Sequence, residues 1–170
     1  MRAASYLVFG LLILAFQTAV LAALPRGFAF YDLMIPLAIF LSLFRPLTVG
    51  LFVLLLLGFV ADMLSAAPNT IFMAVYICIF LTFRNIRGYF HTRDAVFFTF
   101  ATAAGAVFEN LALFLSIAVG DIFEPLPLKY LQVLIVQVLW VFLTAPLVYR
   151  MLSGGFGFLD RIRSNLLGSS

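Results

Sequence analysis

This chain keeps charge out of long stretches, and nothing else in it constrains the fold so tightly. Tyr6 to Leu24 carries no charged side chain over a full membrane-spanning length. Further apolar runs follow, each ended by charged or turn-forming residues. The apolar residues come in runs rather than in period-2 alternation, which predicts helices and argues against a membrane barrel. Hydrophobic residues make up 65% of the 170 and charged residues 10%, against the roughly 45–50% apolar usage of a soluble domain. The expected fold class is an all-α polytopic membrane protein.

Six hydrophobic segments can be read: Ser5 to Leu24, Asp32 to Phe44, Leu47 to Leu64, Thr70 to Phe83, Ala95 to Val119 and Tyr130 to Tyr149. Six transmembrane helices are therefore expected within residues 1–153. The second and fourth segments hold only about 13 or 14 residues, short of the ~20 that cross a ~30 Å hydrocarbon core. They must lean on their neighbours or sit where the bilayer thins. The first segment follows a basic start but leads into no small-x-small cleavage site, so it reads as a retained span. Residues 154–170 read as a cytoplasmic tail. Within it Phe158, Leu159, Ile162 and Leu166 share a helical face opposite Asp160, Arg161 and Arg163, as in a short amphipathic helix lying on membrane lipids.

The basic residues predict an orientation. An even number of spans with the N-terminus inside puts Arg2, Arg45, Arg84, Arg87, Arg93, Arg150, Arg161 and Arg163 on the cytoplasmic side and only Arg26 and Lys129 outside. Both termini are then cytoplasmic, while Asp32, Asp62, Asp121 and Glu124 fall in outer connections. Asp62, at the end of its span, can reach headgroups or water.

Little in the residue inventory points to reactive chemistry. One cysteine, Cys78, excludes an intramolecular disulfide and a cysteine-ligated metal site, and the single histidine, His91, lies in a basic loop. No metal or other cofactor, no nucleic acid partner and no catalytic residue are expected. An intramembrane aspartyl protease needs two close carboxylates sharing a proton. Asp62 and Glu109, on different helices and at different depths, do not offer that.

Two groups of residues stand out. In the third segment Gly58 and Asp62 are four apart and share a face, with Gly50 displaced from it by about 80°, and Ser65 follows. Small residues allow another backbone to come close in a membrane, so Gly50, Gly58, Asp62 and Ser65 form either a helix-packing seam or a partner-binding groove. Asn69 or Thr70 then caps the fourth helix. In the fifth segment Glu109 lies about 14 residues past Ala95, or ~21 Å along the helix. At that depth an acid is protonated or partnered, with Asn110, Gln17, Thr18 and Gln137 as partners within the sequence's reach. Glu109, Asn110 and Gln137 are read as an intramembrane polar pin between helices, because an isolated acid with hydrogen-bonding neighbours needs no substrate.

The order YDLM (Tyr31 to Met34), then Gly50, Gly58, Asp62, Ser65 and an outer turn, then a short span ending in the basic loop RNIRGYFHTR, resembles the rod shape-determining MreD family. The resemblance implies a non-enzymatic subunit of the bacterial inner membrane that serves cell elongation. Its implied partners are the periplasmic coiled-coil protein MreC, the actin-like MreB, and a SEDS glycosyltransferase with a class B penicillin-binding protein. The implied fold is a six-helix one resembling the S components of energy-coupling-factor vitamin transporters. Such an S component, holding a vitamin with Asp62, Asn69 and Glu109, is the alternative reading.

Overall fold

The computed structural model describes residues 2–23, 31–65, 71–88, 94–120 and 128–167 of the chain. They form six helices: α1 (Arg2–Ala23), α2 (Met34–Phe44), α3 (Leu47–Leu64), α4 (Ile71–Ile86), α5 (Ala95–Gly120) and α6 (Leu128–Leu167). Helices α3, α5 and α6 contain stretches long and apolar enough to cross a membrane. The bounds of α3 coincide with the expected segment, and the reason is local. Arg45 precedes Pro46, and the proline ring forces the residue before it out of the helical region. Arg45 is accordingly extended, at φ −124° and ψ 158°, which ends α2 at Phe44; Pro46 (φ −60°, ψ 149°) then leads into α3.

Helix α2 is the hub of the bundle. All residues from Met34 to Leu43 are buried, and the helix touches α1, α3, α4, α5 and α6. A helix that is apolar on every face belongs inside a protein, and eleven residues give it a length of only about 16 Å. Its shortness is therefore met by enclosure among longer helices. The opposite case is α6. Leu131, Ile135, Leu139, Leu143, Leu147 and Met151 all lie exposed along it, spaced four apart as a helical stripe that suits lipid tails.

Helix α6 also differs from expectation at its far end. The tail expected to form a separate short helix after residue 153 is continuous with the last span, making one helix of 40 residues. Gly154 and Gly155 do not break it. At 1.5 Å per residue this helix is about 60 Å long, twice a ~30 Å hydrocarbon core, so a large part of it must lie outside the core of any bilayer it crosses.

Close approach at glycines sets the spacing of the inner helices. A Cβ at Gly58 would lie 2.7 Å from the Met73 Cα on α4, one at Gly105 would lie 2.6 Å from Ile35 Cγ2 on α2, and one at Gly50 would run into the Phe80 ring. The obstacle at Gly58 is main chain and cannot rotate away. Side chains close the opposite end of the bundle: the Arg45 guanidinium stands 4.9 Å over the Tyr6 ring and Tyr149 packs against Phe44 and Phe98.

Gly58→Ala is expected to destabilise the folded protein by about 1–3 kcal/mol through overpacking. Gly154→Ala, at an exposed helical site with nothing within 4 Å, should be neutral or stabilising by up to ~1 kcal/mol. Unfolding midpoints in detergent check this, and equal midpoints for the two variants would contradict the close α3–α4 approach.

Candidate functional site

The polar centre of the bundle is built on the three residues that precede α2, and each holds a neighbouring helix. The Tyr31 hydroxyl is 2.8 Å from Thr144 Oγ1 on α6. Asp32 accepts the Met34 N–H through Oδ1 at 2.8 Å, which satisfies one of the free amides at the start of α2. Its Oδ2 accepts the Tyr76 hydroxyl of α4. The Leu33 N–H donates to Gln17 Oε1 on α1 at 3.1 Å, and Gln17 also reaches the Asp32 carboxylate. The carboxyl of Glu109, on α5, meets that of Asp32. Five helices thus converge on Tyr31, Asp32 and Leu33.

Asp32, expected in an outer connection, does lie between α1 and α2, immediately before α2, and there it is 9% exposed. The cause is the enclosure of α2, whose first turn is sunk among longer helices and carries Asp32 with it. Glu109 is 5% exposed and its carboxyl partner is Asp32, in place of Asn110, Gln17, Thr18 or Gln137. Two neighbouring carboxyls are therefore present, those of Asp32 and Glu109, and Asp62 is not one of them. The sequence did hold a signal, because Asp32 opens an apolar segment too short to span.

Asn110 turns away from this centre. Its Nδ2 donates to the Ala106 carbonyl and to Gln137 Oε1, both at 2.7 Å, which ties α5 to α6. The three residues read as one polar pin thus serve two sites: Asn110 with Gln137 between α5 and α6, and Glu109 with Asp32 at the hub.

Gly50, Gly58 and Asp62 all face α4 of the same chain. Asp62 Oδ1 accepts the Phe72 N–H at 2.9 Å and Oδ2 accepts the Met73 N–H at 3.1 Å. These are the second and third amides of α4, so a carboxylate at the end of α3 caps the next helix and opposes its positive end. Asn69 and Thr70, expected as caps, lie outside the described residues. Ser65 ends α3, its N–H bonded to the Ala61 carbonyl at 2.9 Å.

A cavity of about 170 Å³ opens at this end of the bundle, among α1, α3 and α4. Gln17, Thr18, Asp32, Ser65 and Tyr76 give it polar walls, while Leu14, Ala61, Leu64 and Phe72 give it apolar ones. Arg84 lies at the other end, where its Nη1 donates to the Arg45 carbonyl at 3.0 Å. Among the described residues, no group of three or more His, Cys, Asp or Glu side chains is placed to hold a metal ion.

Asp62→Ala should destabilise the fold by about 1 kcal/mol, with faster amide exchange at Phe72 and Met73, whereas Asp62→Asn keeps one acceptor oxygen and loses less. Asn110→Ala should cost about 0.6 kcal/mol, as is usual for an interhelical hydrogen bond, and should leave exchange at those two amides unchanged. Accelerated exchange in α4 from the Asn110 variant would mean that the two sites are coupled. No family model, curated protein or solved structure matches this chain, so a functional reading rests on these residues themselves.

Proposed function

We propose that the chain is a non-enzymatic, six-span subunit of the bacterial cell-elongation complex, of the MreD type, that assists MreC in maintaining cell shape and lateral peptidoglycan synthesis. The observation that supports it most is the use made of the residues that carry the resemblance. Tyr31, Asp32 and Leu33 knot five helices together, and Gly50, Gly58 and Asp62 join α3 to α4. These residues maintain an architecture, as the membrane subunit of an assembly requires. Both oxygens of Asp32 already accept hydrogen bonds, from Met34 and Tyr76. It is therefore poorly placed to activate a water molecule, which counts against hydrolysis despite the nearby Glu109.

The orientation proposed has both termini in the cytoplasm of a bacterial inner membrane. Arg45 and Arg84 share one end of the bundle, with α1 starting beside them at Tyr6, and Asp62 lies at the other end with the start of α4. That is the asymmetry of the positive-inside rule. Association with MreC, and through it with MreB, the SEDS glycosyltransferase and the class B penicillin-binding protein, completes the proposal.

The cavity beside Asp32 favours one second reading, a vitamin-binding S component. Its volume of about 170 Å³ is below the roughly 300–1,000 Å³ usual for small-molecule sites, and for that reason the assembly reading is preferred.

Affinity purification of the tagged chain from its membranes should recover MreC without a stoichiometric small molecule, and depletion should turn rods into round cells. A vitamin retained in native mass spectra, with no MreC recovered, would favour the transporter subunit. Reporters fused after Arg87 and after Arg163 should read as cytoplasmic and one after Asp121 as periplasmic; a periplasmic signal after Arg87 would overturn the orientation.

A further inference from the structure

Two arginines at the end of the bundle where α2 passes into α3 and α4 stops are held in place by the protein itself. Arg84, in the last turn of α4, donates from Nη1 to the Arg45 carbonyl at 3.0 Å. Its guanidinium stands 5.9 Å from the centre of the Phe80 ring, and that ring is fixed in turn, buried against Gly50 of α3. Arg45 lies over the ring of Tyr6, a buried residue of α1. Both arginines are half-buried. A side chain whose freedom is already restricted loses little more when it takes a ligand.

Charge is unbalanced here. A guanidinium presents five N–H donors in a planar fork, and Arg84 spends one on a neutral carbonyl; among the described residues no carboxylate pairs with it. Arg87 on α4 and Arg150 on α6 add exposed positive charge at the same end. Of the described acids only Asp94 lies here, exposed, with its Oδ1 taken by the Val96 N–H at the start of α5. Exposed hydrocarbon adjoins the arginines: Leu47 in the first turn of α3 and Leu81 one turn before Arg84. Cationic donors bordered by apolar side chains match an amphiphile with a phosphate better than they match a soluble anion. The arginine fork suits phosphate oxygens, and basic pockets between helices on the cytoplasmic side, the side proposed for this end, hold anionic headgroups.

We propose that Arg84, with Arg45 beside it, binds the phosphate of an anionic phospholipid of the phosphatidylglycerol type, whose acyl chains run past Leu47 and Leu81. The headgroup then bridges the α2–α3 elbow and the end of α4, and it supplies the negative charge that the described residues at this end lack. The site rests on the chain crossing a bilayer and not on the partner proposed above, so failure to recover MreC leaves it untouched. Its test requires only the purified full-length chain.

Native mass spectrometry of the detergent-solubilised protein reads the site directly. Given equal amounts of phosphatidylglycerol and phosphatidylethanolamine with the same acyl chains, the wild type should retain phosphatidylglycerol preferentially. Arg84→Gln should weaken that retention about tenfold, whereas Arg150→Gln, which removes an exposed arginine from the same end, should retain the lipid as the wild type does. Phosphatidylglycerol should also raise the wild-type unfolding midpoint more than phosphatidylethanolamine does, by a margin that shrinks in Arg84→Gln. Equal retention of the two lipids by the wild type would overturn the site, as would equal loss in both arginine variants. Unchanged retention in Arg84→Gln would reduce Arg84 to a clamp on the Arg45 carbonyl. Glycerol phosphate that displaces the lipid at equal concentration would make the ligand a soluble anion and overturn the lipid assignment. Photo-crosslinking decides the matter even if Arg84→Gln fails to fold: phosphatidylglycerol with a diazirine high in one acyl chain should label the wild type near Leu81 or Leu47, and labelling confined to the α6 stripe would overturn the proposal.

Discussion

The rest of the bundle depends on a carboxylate buried at the start of its shortest helix. Placing Asp32 among apolar helices costs free energy unless every lone pair it presents is satisfied. The groups that satisfy it come from the first turn of α2 and from α1, α4 and α5. That requirement turns a penalty into a positional constraint. Each helix has to arrive with one particular side chain at one depth, and a slip of one turn would leave a buried acid short of partners. Apolar packing alone discriminates poorly between registers where all surfaces are alike, as among helices in lipid. Hydrogen bonds to a buried charge restore that discrimination.

The α3–α4 seam solves the same problem with different residues. Gly58 lets the Met73 main chain approach α3, and that approach brings the first amides of α4 within reach of Asp62 one turn later. Close packing and capping are thus a single arrangement: a side chain at position 58 would separate the helices and withdraw the carboxylate from the amides it caps. Asp62 borders the end of the bundle and Asp32 the inside. The two acids do related work, each taking up amides at the start of a helix, while only Asp32 also meets a second carboxyl.

The outer helices follow a different rule. Residues exposed on α3, among them Phe52, Leu55, Leu56, Phe59 and Met63, and the long stripe on α6 are apolar. In water such surfaces would drive aggregation, whereas in lipid they cost nothing. The chain therefore places its polar groups between helices and its bulky hydrocarbon outside, the distribution expected of helices that cross a bilayer.

The helical class and the break between α2 and α3 follow from neighbouring residues, which is why they were legible in the sequence. Uninterrupted apolar runs require internally hydrogen-bonded helices, Arg45-Pro46 separates α2 from α3 for steric reasons, and the shortness of the second segment already marked it as unable to span alone. Gly58 and Asp62 could be placed on one face by helical periodicity, but periodicity cannot say whether the surface met there belongs to the same chain. Folding decided that, by setting α4 against it. Folding alone also joined Asp32 to Glu109, residues that lie far apart in sequence and whose segments implied different depths. Depth along a membrane normal is a property of packed helices, and α2 takes its depth from the longer helices that enclose it.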